Sequence, residues 1–255
     1  MVTWNIDGLD ENNLDKRIAH IIQILNKIKP DVIFLQEVTE KILEELILKM
    51  HGTDFHIIEQ VSDVHYFTCI LLHRTTIHLD KAHYKSFENS TMGRGLQKID
   101  CHVGKVKISL FNVHLESTSK LSKERVEQLK KCFSEIKLLG DDTTVILAGD
   151  MNIRDKEIAL LKKGTGFPSS IKDVWELLGK ETKDQYTWDM KRNTNLKMNG
   201  RFKPQLRFDR VYIKDSLPIR MVPKSFNLIG TKKVSGTELF PSDHWGVQTL
   251  FELSN

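Results

Sequence analysis

The spacing of apolar residues changes period several times along this chain. Asn13 to Ile28 places Leu14, Ile18, Ile21, Ile22, Leu25 and Ile28 on one face of a helix, and Pro30 ends it. Asp31 to Gln36 is a short, continuous apolar run rich in β-formers, which predicts a strand buried on both faces. Thr39 can cap a second helix to about Lys49, built on Ile42, Leu43, Leu46 and Ile47. Val2-Thr3-Trp4 reads as an opening strand. The middle of the chain differs. Phe55–Gln60, Phe67–His73, His83–Phe87, Leu96–Val103 and Lys105–Val113 read as consecutive short strands, with Gly104 marking a hairpin. A helix is expected from Ser122 to about Leu139, a buried strand over Thr143–Ala148, and helices over Asp155–Leu161 and Ile171–Leu178. Strands over Phe208–Ile213, Met221–Phe226 and Val247–Leu250 complete the pattern.

Strict strand–helix alternation, which would build one parallel sheet, is absent. The pattern predicts an α/β protein with two mixed β-sheets packed together and helices outside, a four-layer α-β-β-α sandwich. No repeat, low-complexity tract or Pro/Gly/Ser linker divides the chain, so residues 1–255 are expected to form a single domain. The start, Met1-Val2-Thr3-Trp4-Asn5, lacks the basic and apolar regions of a signal peptide, and it is read as the beginning of a catalytic domain excised from a longer protein. Charged residues at 28% and hydrophobic ones at 40% describe a globular chain, not a disordered one. Lys plus Arg at 38 against Asp plus Glu at 34 gives +4, which excludes a histone-like tail yet leaves room for a local basic groove. Cys69, Cys101 and Cys132 stand alone, with no C-x-x-C pair, which argues against a zinc ribbon or a disulfide framework and for a reducing compartment. No apolar run approaches the roughly 20 residues of a membrane helix.

The candidate chemistry sits where apolar runs end. Asn5 and Asp7 follow one strand, Glu37 a second, His114 and Glu116 a third, Asp150 and Asn152 a fourth; Asp209 lies inside the run Leu206 to Tyr212, and Asp243 and His244 follow Phe240-Pro241-Ser242. A single acid at a strand end is usually a turn residue or a cap. Six such ends in a layered fold converge on one edge. Asn5, Asp7, Glu37, Asp150, Asn152 and Asp243 are hard oxygen donors with no sulfur among them, a set suited to Mg²⁺, or Mn²⁺ as a substitute. The chemistry this suggests is hydrolysis at phosphorus.

Thr3-Trp-Asn5, Leu35-Gln-Glu37, His114-Leu-Glu116, Gly149-Asp-Met-Asn152 and Ser242-Asp-His244 resemble, in order and spacing, the signature blocks of the endonuclease/exonuclease/phosphatase superfamily. Longer matches (Trp4 to Leu9, Pro30 to Val38, His114 to Thr118, Gln185 to Asp189, Leu206 to Arg210, Phe240 to Gly246) resemble the branch that removes tyrosine from the 5′ end of DNA, the scar of a trapped topoisomerase II. Asn112 departs from that resemblance, standing where a small or hydroxyl residue is expected.

The resemblance, joined to side-chain chemistry, implies a role for each of these residues. Glu37 would be the inner-sphere metal ligand, with Asp7 and Asp243 acting nearby through water or the field; a turn role in Asp7-Gly8 is the plainer alternative for Asp7. Asp150 and Asn152 would hold the attacking water, Asp150 as general base, with a helix cap as its competing role. His244 would donate to a non-bridging oxygen, with Asp209 as its carboxylate partner. His114 would brace phosphate or a loop, or be structural, and Asn5 would bind phosphate or tune a ligand. Arg94 and Trp188 would stack around the tyrosyl ring, and Tyr66 and Phe208 would offer further surfaces, with core packing as the alternative for Trp188 and Phe208. Arg154, Arg207 and the Ser117-Thr118-Ser119-Lys120 loop would meet DNA phosphates. Lys98, Lys105 and Lys107 are assigned to an exposed hairpin face, and Arg125 and Gln128 to buttressing the loop after His114.

The partner implied is DNA with a 5′-phosphotyrosyl end, single-stranded or at a duplex end, with a topoisomerase II-derived peptide as leaving group. A monomer is expected, with no membrane association and a nuclear location with a cytoplasmic fraction. Three other readings stay open: an abasic-site endonuclease, an RNA deadenylase, or a non-catalytic DNA-binding module on the same fold. Asn5, Glu37, Asp150, Asn152 and His244 together argue against the last.

Overall fold

The computed structural model describes residues 1–50, 55–60, 64–196 and 202–254. One six-stranded sheet contains β1 (Val2–Asn5), β2 (Val32–Val38), β3 (Phe55–Glu59), β4 (Phe67–His73), β13 (Met221–Ile229) and β14 (Gly246–Leu253), in the order β13-β14-β1-β2-β4-β3. The other contains β5 (His78–Ser86), β6 (Gly95–Val103), β7 (Val106–His114), β8 (Thr143–Asp150), β9 (Ile171–Asp173) and β12 (Asp209–Lys214), in the order β5-β6-β7-β8-β12-β9. Each sheet has one parallel pair, β1 with β2 and β7 with β8. A parallel pair needs a crossover, and both crossovers are helical: α1 (Leu14–Ile28) and α3 (Ser122–Lys137). Among the described residues the remaining α-helices are α2 (Glu40–Met50), α4 (Asp155–Lys163) and the short α5 (Val174–Leu177). No helix among the described residues is long and apolar enough to cross a membrane.

The predicted four-layer sandwich is the observed one, and it has three cores. Successive strand residues face opposite ways. In β2, Val32 and Phe34 enter the core between the sheets, whereas Ile33 and Leu35 face α1 and α2. In β8, Ile146 and Ala148 point between the sheets and Val145 and Leu147 toward α3. Burial on both faces is why these strands read as unbroken apolar runs. The α1 stripe packs on the first sheet; Leu25 is fully buried there, and Leu25→Ala would cost about 2–5 kcal/mol. Each core holds one free cysteine: Cys101 between the sheets, Cys69 under α1 and α2, and Cys132 under α3.

Several predicted boundaries move. The expected helix over Ile171–Leu178 is split: Ile171–Asp173 is strand β9, paired with β12, and only Val174–Leu177 is helical. The apolar spacing fits a helix, but the free edge of β12 captures the first three residues. β5 starts at His78 instead of His83, because an edge strand exposed on both faces shows no alternation to read. A two-stranded ribbon, β10 (Trp188–Asp189) with β11 (Gln205–Leu206), was not predicted. The β6–β7 hairpin turns at Gly104-Lys105, and Gly104 has φ +56° as such a turn requires.

Candidate active site

Strand register assembles the site. Parallel pairing sets Asn5 beside Gln36 at the ends of β1 and β2. In the other sheet, His114 of β7 stands beside Asp150 of β8, and Asp209, opening β12, faces Asp150 from the other side. His244 lies just before β14, where the Trp4 indole donates to its carbonyl at 2.9 Å. The two sheets meet through Asn5, whose Nδ2 lies 3.0 Å from both Glu37 Oε1 and Asp150 Oδ2. The β2–β4 ladder is irregular between Leu35 and Val38, and Glu37 has φ +58°. That bulge turns Glu37 out of the strand alternation toward the site. Asp7 and Asn152 are likewise left-handed, both at φ +51°. Such backbone costs of order 1–3 kcal/mol each and persists where the surroundings enforce it.

Asp150 is the hub. Its Oδ2 meets Asn5 Nδ2, His114 Nε2 at 3.3 Å and His244 Nε2 at 3.7 Å, and its Oδ1 accepts from the Asn152 N–H at 2.9 Å. Burial by itself would raise its pKa, but the His244 charge and the His114 and Asn5 contacts hold it well below the usual carboxylate range. Asp209 Oδ2 accepts from His244 Nδ1 at 2.8 Å, in line with the pairing expected from the sequence. Burial alone would lower the His244 pKa; Asp209, Asp243 and Asp150 instead raise it well above the ordinary imidazole value. The charged form of His244 is thereby favoured, with Nδ1 held by Asp209 and Nε2 3.7 Å from Asp150 Oδ2.

Asp7, Glu37 and Asp243 form a second group. Burial, then the Asp243 charge, pushes Asp7 up to about 8, against the opposing pull of Arg17. Burial and the Glu37 charge also raise Asp243. Asp7, Glu37 and Asp243 repel one another electrostatically, with the Arg17 guanidinium 3.4 Å from Asp7, and a divalent cation would offset that repulsion. Glu37, Asp7 and Asp243 thus fit such an ion. Ligand atoms of Asp150, Asp209 and His244 also lie within 4.8 Å of one another. In that triad His244 Nδ1 is already engaged by Asp209 at 2.8 Å, which leaves Nε2 as its remaining ring nitrogen.

The residues of the expected substrate wall fall into two pairs, Arg94 with Tyr66 and Trp188 with Phe208. Arg94 is 7% exposed, with its guanidinium 5.0 Å from the Tyr66 ring and Nη1 2.7 Å from His114 Nδ1. Trp188 instead packs on Phe208 at 5.8 Å, and Phe208 on His244 at 6.3 Å. Tyr66, Arg94, His114, Asp150, His244, Phe208 and Trp188 form one chain of contacts, with Arg94 and Trp188 toward opposite ends. The Trp188 indole N–H donates to Asp243 Oδ2 at 3.1 Å. His114 is thus a bridge between Arg94 and Asp150. Arg154 lies over Phe208 at 5.6 Å and is half-exposed. Ser117 reaches the Met92 sulfur, and Thr118 offers its carbonyl to Arg125, so that loop is held by the protein itself.

Two expectations fail. Arg207 does not meet phosphate: it is 4% exposed, 2.7 Å from Asp173 and stacked on Trp175 at 4.4 Å. Asp150 caps no helix, because α4 starts at Asp155 and its first turn is closed by Glu157 accepting from the Arg154 N–H at 2.7 Å. Arg125 and Gln128 buttress as expected, through Glu157 and Glu116.

Sequence reasoning assigned no role to three supports. Glu116 accepts from Ser90 and from the Thr91 N–H and hydroxyl, fixing the loop that carries Arg94. Arg17 is fully buried and binds the Asp7 and Pro241 carbonyls; its one signal was a charge on the apolar stripe of α1. Gln36 and Asn112 join the sheets directly beneath the site.

Known proteins resemble this chain in sequence and in fold. A profile of the Endonuclease/Exonuclease/phosphatase family matches residues 2–244. Tyrosyl-DNA phosphodiesterase 2 of Gallus gallus is 38% identical over 254 residues, covering 99% of this chain and 66% of that protein. The Homo sapiens protein of that name is 38% identical over 248 residues, covering 97% and 66%. The chain thus spans just under two thirds of the length of the curated relatives it matches. A crystal structure of D. rerio TDP2 with single strand DNA product superposes with a TM-score of 0.91 at 34% identity, covering 98% of this chain and 97% of that one. Truncated Caenorhabditis elegans TDP2 gives 0.85 at 30%, covering 99% and 96%. The human Nocturnin catalytic domain, at 14% identity and a TM-score of 0.75, shares the fold.

Proposed function

Because the chain belongs to the endonuclease/exonuclease/phosphatase family, we propose that it is a metal-dependent phosphodiesterase that hydrolyses the bond between tyrosine and the 5′ end of DNA, using Mg²⁺ and leaving a 5′-phosphate. The observation that carries the reading is the convergence of Asn5, His114 and His244 on one oxygen of an ionised Asp150, beside the Glu37, Asp7 and Asp243 carboxylates. Relatives named for tyrosyl-DNA hydrolysis, and one holding a single-stranded DNA product, support the substrate.

Bound at Glu37, the cation would polarise a phosphate oxygen and offset developing charge. Asp150 and Asn152 orient the attacking water. Asp150 takes the proton of that water as general base as the P–O bond forms and the tyrosyl oxygen leaves as phenolate, and the same carboxylate keeps both histidines in place. His244 donates from Nε2 to a non-bridging oxygen while Asp209 fixes Nδ1, which stabilises the charge that grows in the transition state. The leaving tyrosyl oxygen has an unperturbed pKa of about 10, so little general-acid help is needed. The half-buried Trp188 ring, tilted 43° against Phe208, offers an apolar edge for the tyrosyl ring, and Arg154 a positive charge for the DNA backbone. A topoisomerase II-derived peptide as leaving group, a monomeric state and a nuclear location with a cytoplasmic fraction complete the proposal.

The test uses two labelled single-stranded DNAs, one with a 5′- and one with a 3′-phosphotyrosine, with Mg²⁺ and with EDTA. Conversion of the 5′ substrate alone to a 5′-phosphate, lost in EDTA, is expected. Internal nicking or 3′ trimming with tyrosine retained would keep the family and reject the substrate.

A further inference from the structure

The core between the sheets is largely apolar, and a polar strut crosses it beneath the site. Asn112, on β7 two residues before His114, is fully buried. Its Oδ1 accepts from Gln36 Nε2 at 2.9 Å, and Gln36 also reaches Thr3 Oγ1 at 3.2 Å. Its Nδ2 lies 3.3 Å from the Leu35 carbonyl, 3.2 Å from the Cys69 carbonyl and 3.3 Å from Gln97 Oε1. Gln97 continues the chain to the Ile58 carbonyl at 2.8 Å. One amide thus ties β7 and β6 of one sheet to β2 and β4 of the other.

The place of these contacts matters. The β2–β4 ladder becomes irregular immediately after the Leu35–Cys69 pair, and Asn112 donates to the carbonyls of those two residues. The next residue, Gln36, is pinned by the Asn112 oxygen, and the one after is Glu37 at φ +58°. Two residues beyond Asn112 on its own strand stands His114, which touches Asp150. Asn112 therefore reaches both halves of the site, two residues from His114 and one hydrogen bond from the neighbour of Glu37. A valine or leucine there would fill the space and leave the Gln36 amide and two strand carbonyls without this partner.

We propose that Asn112 is a positioning residue that holds the Glu37 bulge and sets the gap between Glu37 on one sheet and Asp150 on the other, and so the geometry in which cation and attacking water face one another. The proposal rests on the assignment of Glu37 as the carboxylate that binds the cation. A residue that only filled the core would alter stability; this one also governs the site at constant substrate affinity.

The experiment compares Asn112→Leu, Asn112→Thr, Gln36→Met, the Asn112→Leu/Gln36→Met double variant and Glu37→Gln. Three quantities are measured: Mn²⁺ affinity of the DNA-free protein by titration calorimetry, kcat and KM on 5′-phosphotyrosyl DNA, and Tm. Asn112→Leu is expected to weaken Mn²⁺ binding and lower kcat, each by about 10–100-fold, the range for residues that orient a metal carboxylate, with KM nearly unchanged. Gln36→Met should lose a similar factor, and the double variant no more than the worse single one. Asn112→Thr places at this position the kind of residue the family resemblance expects; it should fold, and its Mn²⁺ affinity should fall between those of the parent and Asn112→Leu, because it keeps a hydroxyl without the reach of the full strut. A fall in Tm with Mn²⁺ affinity and kcat within about twofold of the parent, in whichever variants fold, overturns the proposal and leaves Asn112 as core packing. Unimpaired Mn²⁺ binding in Glu37→Gln would instead overturn the assignment of Glu37, and the strut's role with it.

Discussion

His244 is buried, which by itself would strip its proton, yet three carboxylates led by Asp209 hold the imidazolium. Removing the Asp209 charge removes the largest of those three contributions. Asp209→Asn should therefore move the alkaline limb of the kcat–pH profile to lower pH, as read from rates on phosphotyrosyl DNA across pH 6 to 10; an unmoved limb would reject His244 as the donor. His244→Ala should lower kcat by about 10²–10³-fold, as loss of one preorganised donor does elsewhere. Glu37→Gln keeps the shape of the side chain and the Asn5 hydrogen bond but not the charge, and should abolish Mg²⁺ dependence together with activity. The positive φ at Glu37, Asp7 and Asn152 was not legible in the sequence. None is glycine, and a strand pattern gives no hint that its last residue turns back.

At the scale of elements, the site depends on β7 and β8 lying close together. Gly149 has φ +136°, and a Cβ there would stand 2.0 Å from the Val113 carbonyl oxygen. Gly149→Ala should destabilise by about 2–6 kcal/mol, strain and overpacking together, measured by urea unfolding. The α3–α4 tie is a buried ion pair, Arg125 with Glu157 at 2.6 Å. Arg125→Ala strands the Glu157 carboxylate and frees the Thr118 carbonyl, so a loss of about 3–5 kcal/mol is expected in the same assay. The strands and helices that bury two faces or one clean stripe, such as β2, β8 and α1, were legible because burial imposes a period. β5, β9 and the β10–β11 ribbon were not, since edge pairing is decided by what lies alongside. For the site, the residues that close on Asp150 could be read from strand-end blocks. Arg207 could not, because nothing local tells that Asp173 and Trp175 will claim it.

For the whole molecule, the acidic group makes stability depend on pH. Asp7 titrates near 8 in the folded chain against an ordinary 3.8, so the stability it contributes is complete below about 4 and is lost as pH rises through 8. His244, also raised, loses its contribution in the same alkaline direction. Asp150, held low, acts oppositely and matters only toward acid. In EDTA, Tm should therefore fall between pH 6 and pH 9, and Asp7→Asn should flatten that fall. Added Mg²⁺ should raise Tm more at pH 9 than at pH 6, because ligand binding to the folded state adds stability and only the ionised carboxylates bind well. The distribution of sulfur gives a second handle. Each of the three apolar layers contains a single thiol, and burial pushes that of Cys101 up to about 12 and those of Cys69 and Cys132 higher still. An alkylating reagent cannot react with any of them until its own layer opens. Mass spectrometry after a brief pulse of such a reagent would thus time-stamp, without any introduced label, the order in which the layers come apart.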